Sequence, residues 1–191
     1  MLELAGRSIA EQIAIGQLHF YRREPPVLAP RSQRGPQEEL ERFQQGQRQA
    51  VLQLAALYDR AFAEVGEETA SIFAIHAMLL EDEDLVRTIT DMIQREGATA
   101  EYSVKAAGDA LAAAFGAMDS PYMRARSVDM RDISRRMLRA LLGRRPKAPL
   151  TRPGTILVCE EFFPSEVMEL DRRWLVGLAA MRGNVGSHTA H

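Results

Sequence analysis

The chain has 191 residues, with 46% hydrophobic and 26% charged side chains, the ordinary composition of a globular protein able to bury a core. Twenty-four basic against 26 acidic residues give a formal charge of −2, which excludes the strongly basic profile of a nucleic-acid binder. No apolar run approaches the roughly 20 residues needed to cross a bilayer, and the N-terminus MLELAGRSIAEQ has no apolar core of a signal peptide. The single cysteine, Cys159, excludes an internal disulfide and fits a reducing cytoplasm.

In chain order, Ser8 to Tyr21 alternates apolar residues at Ile13, Ile15, Leu18 and Phe20, with a register change near Gly16. This predicts a half-buried strand kinked at the glycine. Arg22 to Pro36 interleaves prolines and arginines and reads as a connector. From Gln37 to Val65, apolar residues recur at Leu40, Phe43, Val51, Leu54, Ala55, Tyr58, Phe62 and Val65, the spacing of a long amphipathic helix that Gly66 ends. A second helical run is expected from Glu67 to Arg95, closed by Gly97, and a third from Ala98 to Met118. A fourth opens on the Ser120-Pro121 cap and ends at Leu142, before Gly143. Four helices with short connections predict an antiparallel bundle over 37–143.

After a proline- and arginine-bearing linker, TILVCE (155–160) and WLVGLA (174–179) read as strands, with a short helix from Pro164-Ser165 between them. Residues 1–22 and 145–191 are therefore expected to form one α/β domain, into which the helices are inserted. The chain closes on GNVGSHTAH. A glycine-bearing turn can gather backbone N–H groups into an anion site that His188, between Ser187 and Thr189, would meet. A polar tail with a stray histidine reads the same nine residues equally simply.

The stretch GEETASIFAIHAMLLEDEDL (66–85) places Ile72, Phe73, His76, Leu79 and Leu80 on one helical face, between the acidic pair Glu67–Glu68 and the acidic run Glu81–Asp84. A histidine inside an apolar stripe is ordinarily a core or interface residue. An apolar patch rimmed by acid suits a partner whose apolar patch is rimmed by base.

That stretch, with MDSPYMRARSVDMRDISRRMLRALLG (118–143), ILVCEEFFPSEVMELD and GNVGSHTA, resembles the N-terminal domain of Enzyme I, the phosphoenolpyruvate–protein phosphotransferase of the bacterial sugar phosphotransferase system. The resemblance implies a helical domain that binds the phosphocarrier protein HPr, inserted into an α/β phosphohistidine domain, here ending just after the phosphohistidine loop. It implies that His188 carries the phosphoryl group, flanked by Ser187 and Thr189. The positions matching the HPr platform are Glu67, Glu68, His76, Met78, Leu79, Asp82, Asp84, Leu85 and Arg126. It further implies a cytoplasmic enzyme of sugar transport whose homodimeric parent takes phosphoenolpyruvate and magnesium in a further C-terminal domain. No cofactor, metal site, nucleic acid or membrane is expected for this segment itself.

Several positions depart from the family pattern. Gly183-Asn184-Val185-Gly186 replaces the usual sequence before Ser-His, and Phe163 stands where the family has a threonine. His191 replaces an aliphatic residue, and Ala10-Glu11-Gln12 replaces a Ser-Pro-Gly turn. These changes keep the histidine and remove hydrogen-bonding partners around it. The alternative is a non-catalytic helical interaction module derived from Enzyme I. A third reading, the swivelling domain of a pyruvate phosphate dikinase-like enzyme, shares the Ser-His loop but not IFAIHAMLLED.

Overall fold

The computed structural model describes residues 3, 5–9, 13–144 and 152–182. A short strand, β1 (Gln17–Phe20), precedes five helices: α1 (Pro36–Val65), α2 (Glu67–Leu80), α3 (Glu83–Glu96), α4 (Ala100–Gly116) and α5 (Pro121–Leu141). Then come β2 (Thr155–Cys159), the one-and-a-half-turn α6 (Pro164–Glu169) and β3 (Leu175–Ala180). The result is mainly helical, a bundle beside a small parallel sheet.

Local chemistry sets the helix boundaries. Pro36 and Pro121 occupy first turns, where a missing N–H costs nothing. Thr99 caps α4 by accepting from the Tyr102 N–H at 3.2 Å. Gly66 (φ 99°) and Gly97 (φ 64°) take the left-handed conformations on which the chain turns after α1 and α3. The run expected as one helix over Glu67–Arg95 is two helices. The carboxylate of Asp82 accepts from the N–H groups of Asp84 at 3.0 Å and Leu85 at 3.1 Å, starting a new helix within the apolar pattern. The bundle therefore has five helices rather than four.

Its core contains Phe43, Leu54, Phe73, Leu80, Ile89, Ile93, Ile133 and Met137, each at most 2% exposed. Full burial of such side chains stabilises by about 1.5–3 kcal/mol apiece before entropy is counted. Close helix approach relies on Gly108 of α4, where an added Cβ would lie 2.7 Å from the Ser134 Cβ of α5.

All three strands are parallel, in the order β1-β2-β3, with Gln17 opposite Thr155 and Cys159 opposite Ala180. The whole bundle is thus the connection between two neighbouring strands. Leu157, Cys159, Phe162 and Leu170 form a separate small core. The half-buried strand expected over 8–21 is corrected. Strand pairing covers only Gln17–Phe20, and all four residues are exposed, as are Ile13 and Ile15. β1 is an edge strand, and among the described residues no layer packs over Leu18 and Phe20.

Candidate functional site

The α2–α3 corner separates the residues that the sequence grouped together. Glu67 and Glu68, in the first turn of α2, are exposed, and so are Asp82 and Asp84. Met78 is 71% exposed although its neighbours pack inward. Leu79 is half-buried against the bundle core. Asp84 pairs with Arg87, whereas Asp82 also serves as the α3 cap.

Two members of the expected platform are not on the surface. His76 is 0% exposed and Leu85 2%, because both occupy inward positions of their helices. His76 is the centre of a buried polar chain. Its Nε2 lies 3.3 Å from Asp129 Oδ1 and its Nδ1 lies 3.9 Å from Asp132 Oδ2, without the alignment of a hydrogen bond. The Phe73 ring meets the imidazole edge-on, with centroids 6.0 Å apart. Arg126, expected as a surface contact, is mostly covered. It donates to Asp129 Oδ2 at 3.0 Å and to the Tyr122 hydroxyl at 2.5 Å, with its guanidinium 4.7 Å above the Tyr122 ring.

At the other end of this chain, the Asp132 carboxylate accepts from the Ser165 backbone N–H at 2.9 Å and the Ser165 hydroxyl at 2.5 Å. Ser165 therefore does not cap the short helix expected to start from Pro164-Ser165. Phe163 takes the N-cap position of α6 without a side-chain bond, and Ser165 ties α6 to the bundle.

Arginines of α5 line the seam between bundle and sheet. Arg131 donates to Glu161 at 3.0 Å, Arg136 donates to Gln53 at 2.9 Å and pairs with Glu169, and Arg135 lies 3.6 Å from Glu166. Arg23, just past β1, holds both oxygens of Glu166 and also donates to the Glu161 carbonyl. Burial opposes the Arg23 charge, but these bonds outweigh it and raise its pKa. The Phe163 ring lies under two guanidiniums, that of Arg23 at 4.3 Å and that of Arg135 at 5.6 Å. Sequence reading missed Arg23, Asp129, Asp132, Arg135 and Ser165. The visible signal was the four-residue spacing of Arg131, Arg135 and Arg139.

His188, Ser187 and Thr189 lie outside the described residues, as do Asn184, Val185, Gly186 and His191. The chain approaches them from the carboxyl edge of the parallel sheet, with the Met181 N–H bonded to the Cys159 carbonyl at 3.0 Å and the Arg182 N–H to the Glu160 carbonyl at 2.7 Å. In open α/β sheets this is the edge at which ligands bind. Cys159 beneath it is buried, and desolvation pushes its thiol pKa up to about 11 despite the opposing charge of Arg23. Among the described residues no helix is long and apolar enough to cross a membrane, and no group of three or more His, Cys, Asp or Glu side chains is placed to hold a metal ion.

Comparison with known proteins agrees with this architecture. The family model described as PEP-utilising enzyme, N-terminal, matches residues 5–126. A phosphoenolpyruvate-protein phosphotransferase of Bacillus sp. (strain S) is 34% identical over 185 residues, covering 95% of this chain and 32% of that protein. The protein of the same name from Geobacillus stearothermophilus is 33% identical over the same shares. The chain thus spans about a third of the length of these relatives. A solution structure of Enzyme I superposes with a TM-score of 0.71 at 26% identity, and an N-terminal domain of Enzyme 1 - Nitrogen with 0.66 at 27%. Each superposition covers 95% of this chain and 75% of the other. The chain belongs to the family of PEP-utilising enzyme N-terminal domains.

Proposed function

We propose that this chain exchanges a phosphoryl group between His188 and the phosphocarrier protein HPr, docked on the exposed corner of α2 and α3. The observation that carries the reading is Met78. It is a large apolar side chain left 71% exposed, followed after Leu79 and Leu80 by the exposed carboxylates of Glu81, Asp82, Glu83 and Asp84. An apolar knob beside acid recruits a partner with an apolar patch among basic groups. The relatives are named phosphoenolpyruvate-protein phosphotransferases, which supports the same chemistry.

In the transfer, a neutral His188 ring nitrogen attacks the phosphorus of the carrier's phosphohistidine. A new N–P bond forms as the old one breaks, and the carrier's imidazole leaves with that bond's electron pair. The chain's own contribution is to dock the carrier and present the imidazole. Phosphoenolpyruvate would enter through further parts of a full-length, homodimeric cytoplasmic parent, which also supplies magnesium. The described residues offer no metal-binding group, and no step here runs through one.

Incubation with phosphorylated HPr followed by mass spectrometry tests the reading. The expected product is an acid-labile, alkali-stable phosphate on the peptide bearing His188, abolished in His188→Ala. Undiminished labelling of His188→Ala would assign the acceptor elsewhere, and no labelling of the wild type would leave a docking module.

A further inference from the structure

Two arginines on the seam carry more hydrogen-bonding capacity than their surroundings use. Arg135 and Arg139 are four residues apart on α5, so their side chains project from one face a single turn apart. Both are part-exposed, with 35% and 21% of the side chain accessible. Arg135 reaches no closer than 3.6 Å to Glu166, whose two oxygens are already held by Arg23. Arg139 reaches no closer than 3.9 Å to Glu169, whose other oxygen is taken by Arg136. Both distances exceed a hydrogen bond. The Nε–H of Arg139 is also buried without an acceptor.

The charges do not balance. Four guanidiniums (Arg23, Arg135, Arg136 and Arg139) share two carboxylates, Glu166 and Glu169. Tyr21 adds no counter-charge, because burial and then the charge of Glu166 raise the pKa of its phenol. Arg135 responds as a cation in excess. Its pKa is lowered by burial, with Arg23 and Arg139 adding repulsion that Glu166 opposes. Phe163 supports Arg23 and Arg135 over its ring, so the Arg135 fork is pre-positioned.

We propose that Arg135 and Arg139 bind a phosphate-sized dianion at this seam. Two guanidinium forks one helical turn apart suit a tetrahedral group with three free oxygens, whereas a carboxylate is satisfied by one fork. Phe163 in place of a hydroxyl residue is part of the site, as the platform under one fork. The ligand chemistry is a phosphoryl dianion, supplied either as free phosphate or as the phosphoryl group of a monoester. The proposal is built on described residues alone and does not rest on the phosphotransfer reading of His188.

Inorganic phosphate and phenyl phosphate should be titrated separately into the ¹⁵N-labelled chain, following the arginine Nε–Hε signals at constant ionic strength set with chloride. Saturable shifts at Arg135 and Arg139, with a dissociation constant on the order of 1 mM, are expected. Response to both compounds identifies a monoester site, and response to phosphate alone identifies a free-ion site. Arg135→Gln and Arg139→Gln should each weaken binding about tenfold or more. Arg135→Lys keeps the charge and should still lose most of the affinity because the fork is gone, with an unchanged urea midpoint checking that the fold is kept. Arg87→Gln, on exposed α3, should bind as wild type. His188→Ala should also retain binding, so failure of phosphotransfer and failure of this site are separable. Non-saturating shifts, or variants at 135 and 139 that bind unchanged, would overturn the proposal.

Discussion

Ser165 gives both its backbone N–H and its hydroxyl to the carboxylate of Asp132, at 2.9 Å and 2.5 Å, with Ser165 0% and Asp132 1% exposed. Two hydrogen bonds to one charged acceptor, out of contact with water, make this the deepest polar tie between α5 and α6. Asp132→Ala removes the acceptor and strands both Ser165 donors. A loss of about 2–3 kcal/mol is expected, against about 1 kcal/mol for Ser165→Ala. Urea midpoints with an unchanged slope would measure both, and a near-neutral Asp132→Ala would refute the role.

The acid limb of the stability curve should owe much to Glu39. Burial works to raise its pKa, but bonds from the Ser32 hydroxyl and the Ala100 N–H, together with the Arg42 charge, outweigh it and hold the carboxyl below its usual 4.5. A carboxyl whose folded pKa is depressed contributes stability above its unfolded pKa and loses it as pH falls through the folded value. Glu39→Gln should therefore be less stable than wild type at neutral pH. It should also lose less on going from pH 5 downwards. Parallel acid limbs in the two proteins would contradict this.

Docking of the carrier should respond to Met78→Ala and Glu67→Lys, each weakening binding about tenfold, and the charge reversal should also flatten the salt dependence. Both side chains are exposed, so neither change should disturb the bundle. Asp82→Lys would be ambiguous, because it also removes the α3 cap at a cost of about 1 kcal/mol. Asp82→Asn keeps a cap and tests the charge alone. Wild-type affinity in both Met78→Ala and Glu67→Lys would place the docking surface elsewhere.

Cys159 should be unreactive in the folded protein. With burial holding its thiol near 11, little thiolate exists at pH 7.5, and the side chain is 4% exposed. Labelling by a thiol reagent should be slow until denaturant is added, then rapid. Fast labelling of the native chain would contradict the burial.

The helices were legible because their apolar spacing and their stops agree. Ser120-Pro121, Gly66 and Gly97 sit at the boundaries the pattern requires. The break at Asp82 was obscured because apolar spacing continues across it on both sides, although an aspartate followed by two further acids is itself a helix-start signal. The strand over 8–21 was over-read for a different reason. Alternation records a residue's chemistry, whereas Ile13 and Ile15 have no described neighbour strand to pair with. The polar site was least legible. His76 was recognisable as an inward histidine, but its neighbours Asp129 and Asp132 lie over fifty residues away, and Asp132 meets Ser165 across a further 33. No local period encodes such pairings; they exist only once α2, α5 and α6 have packed.

Gln17 and Thr155 lie opposite each other in the sheet, with the whole helical bundle between them in sequence. In an unstructured chain, closing so long a connection would cost more entropy than a four-residue strand returns. A prefolded bundle shortens that search, because it holds the two approaching segments near each other before they pair. Assembly should therefore run in a fixed order, with mostly local helix contacts first and the non-local sheet last. Core substitutions such as Ile133→Ala should slow the appearance of the sheet, while substitutions in β2 should mainly hasten its loss. The carboxyl edge of the sheet, where β2 and β3 end, should then be the last part of the described fold to be made.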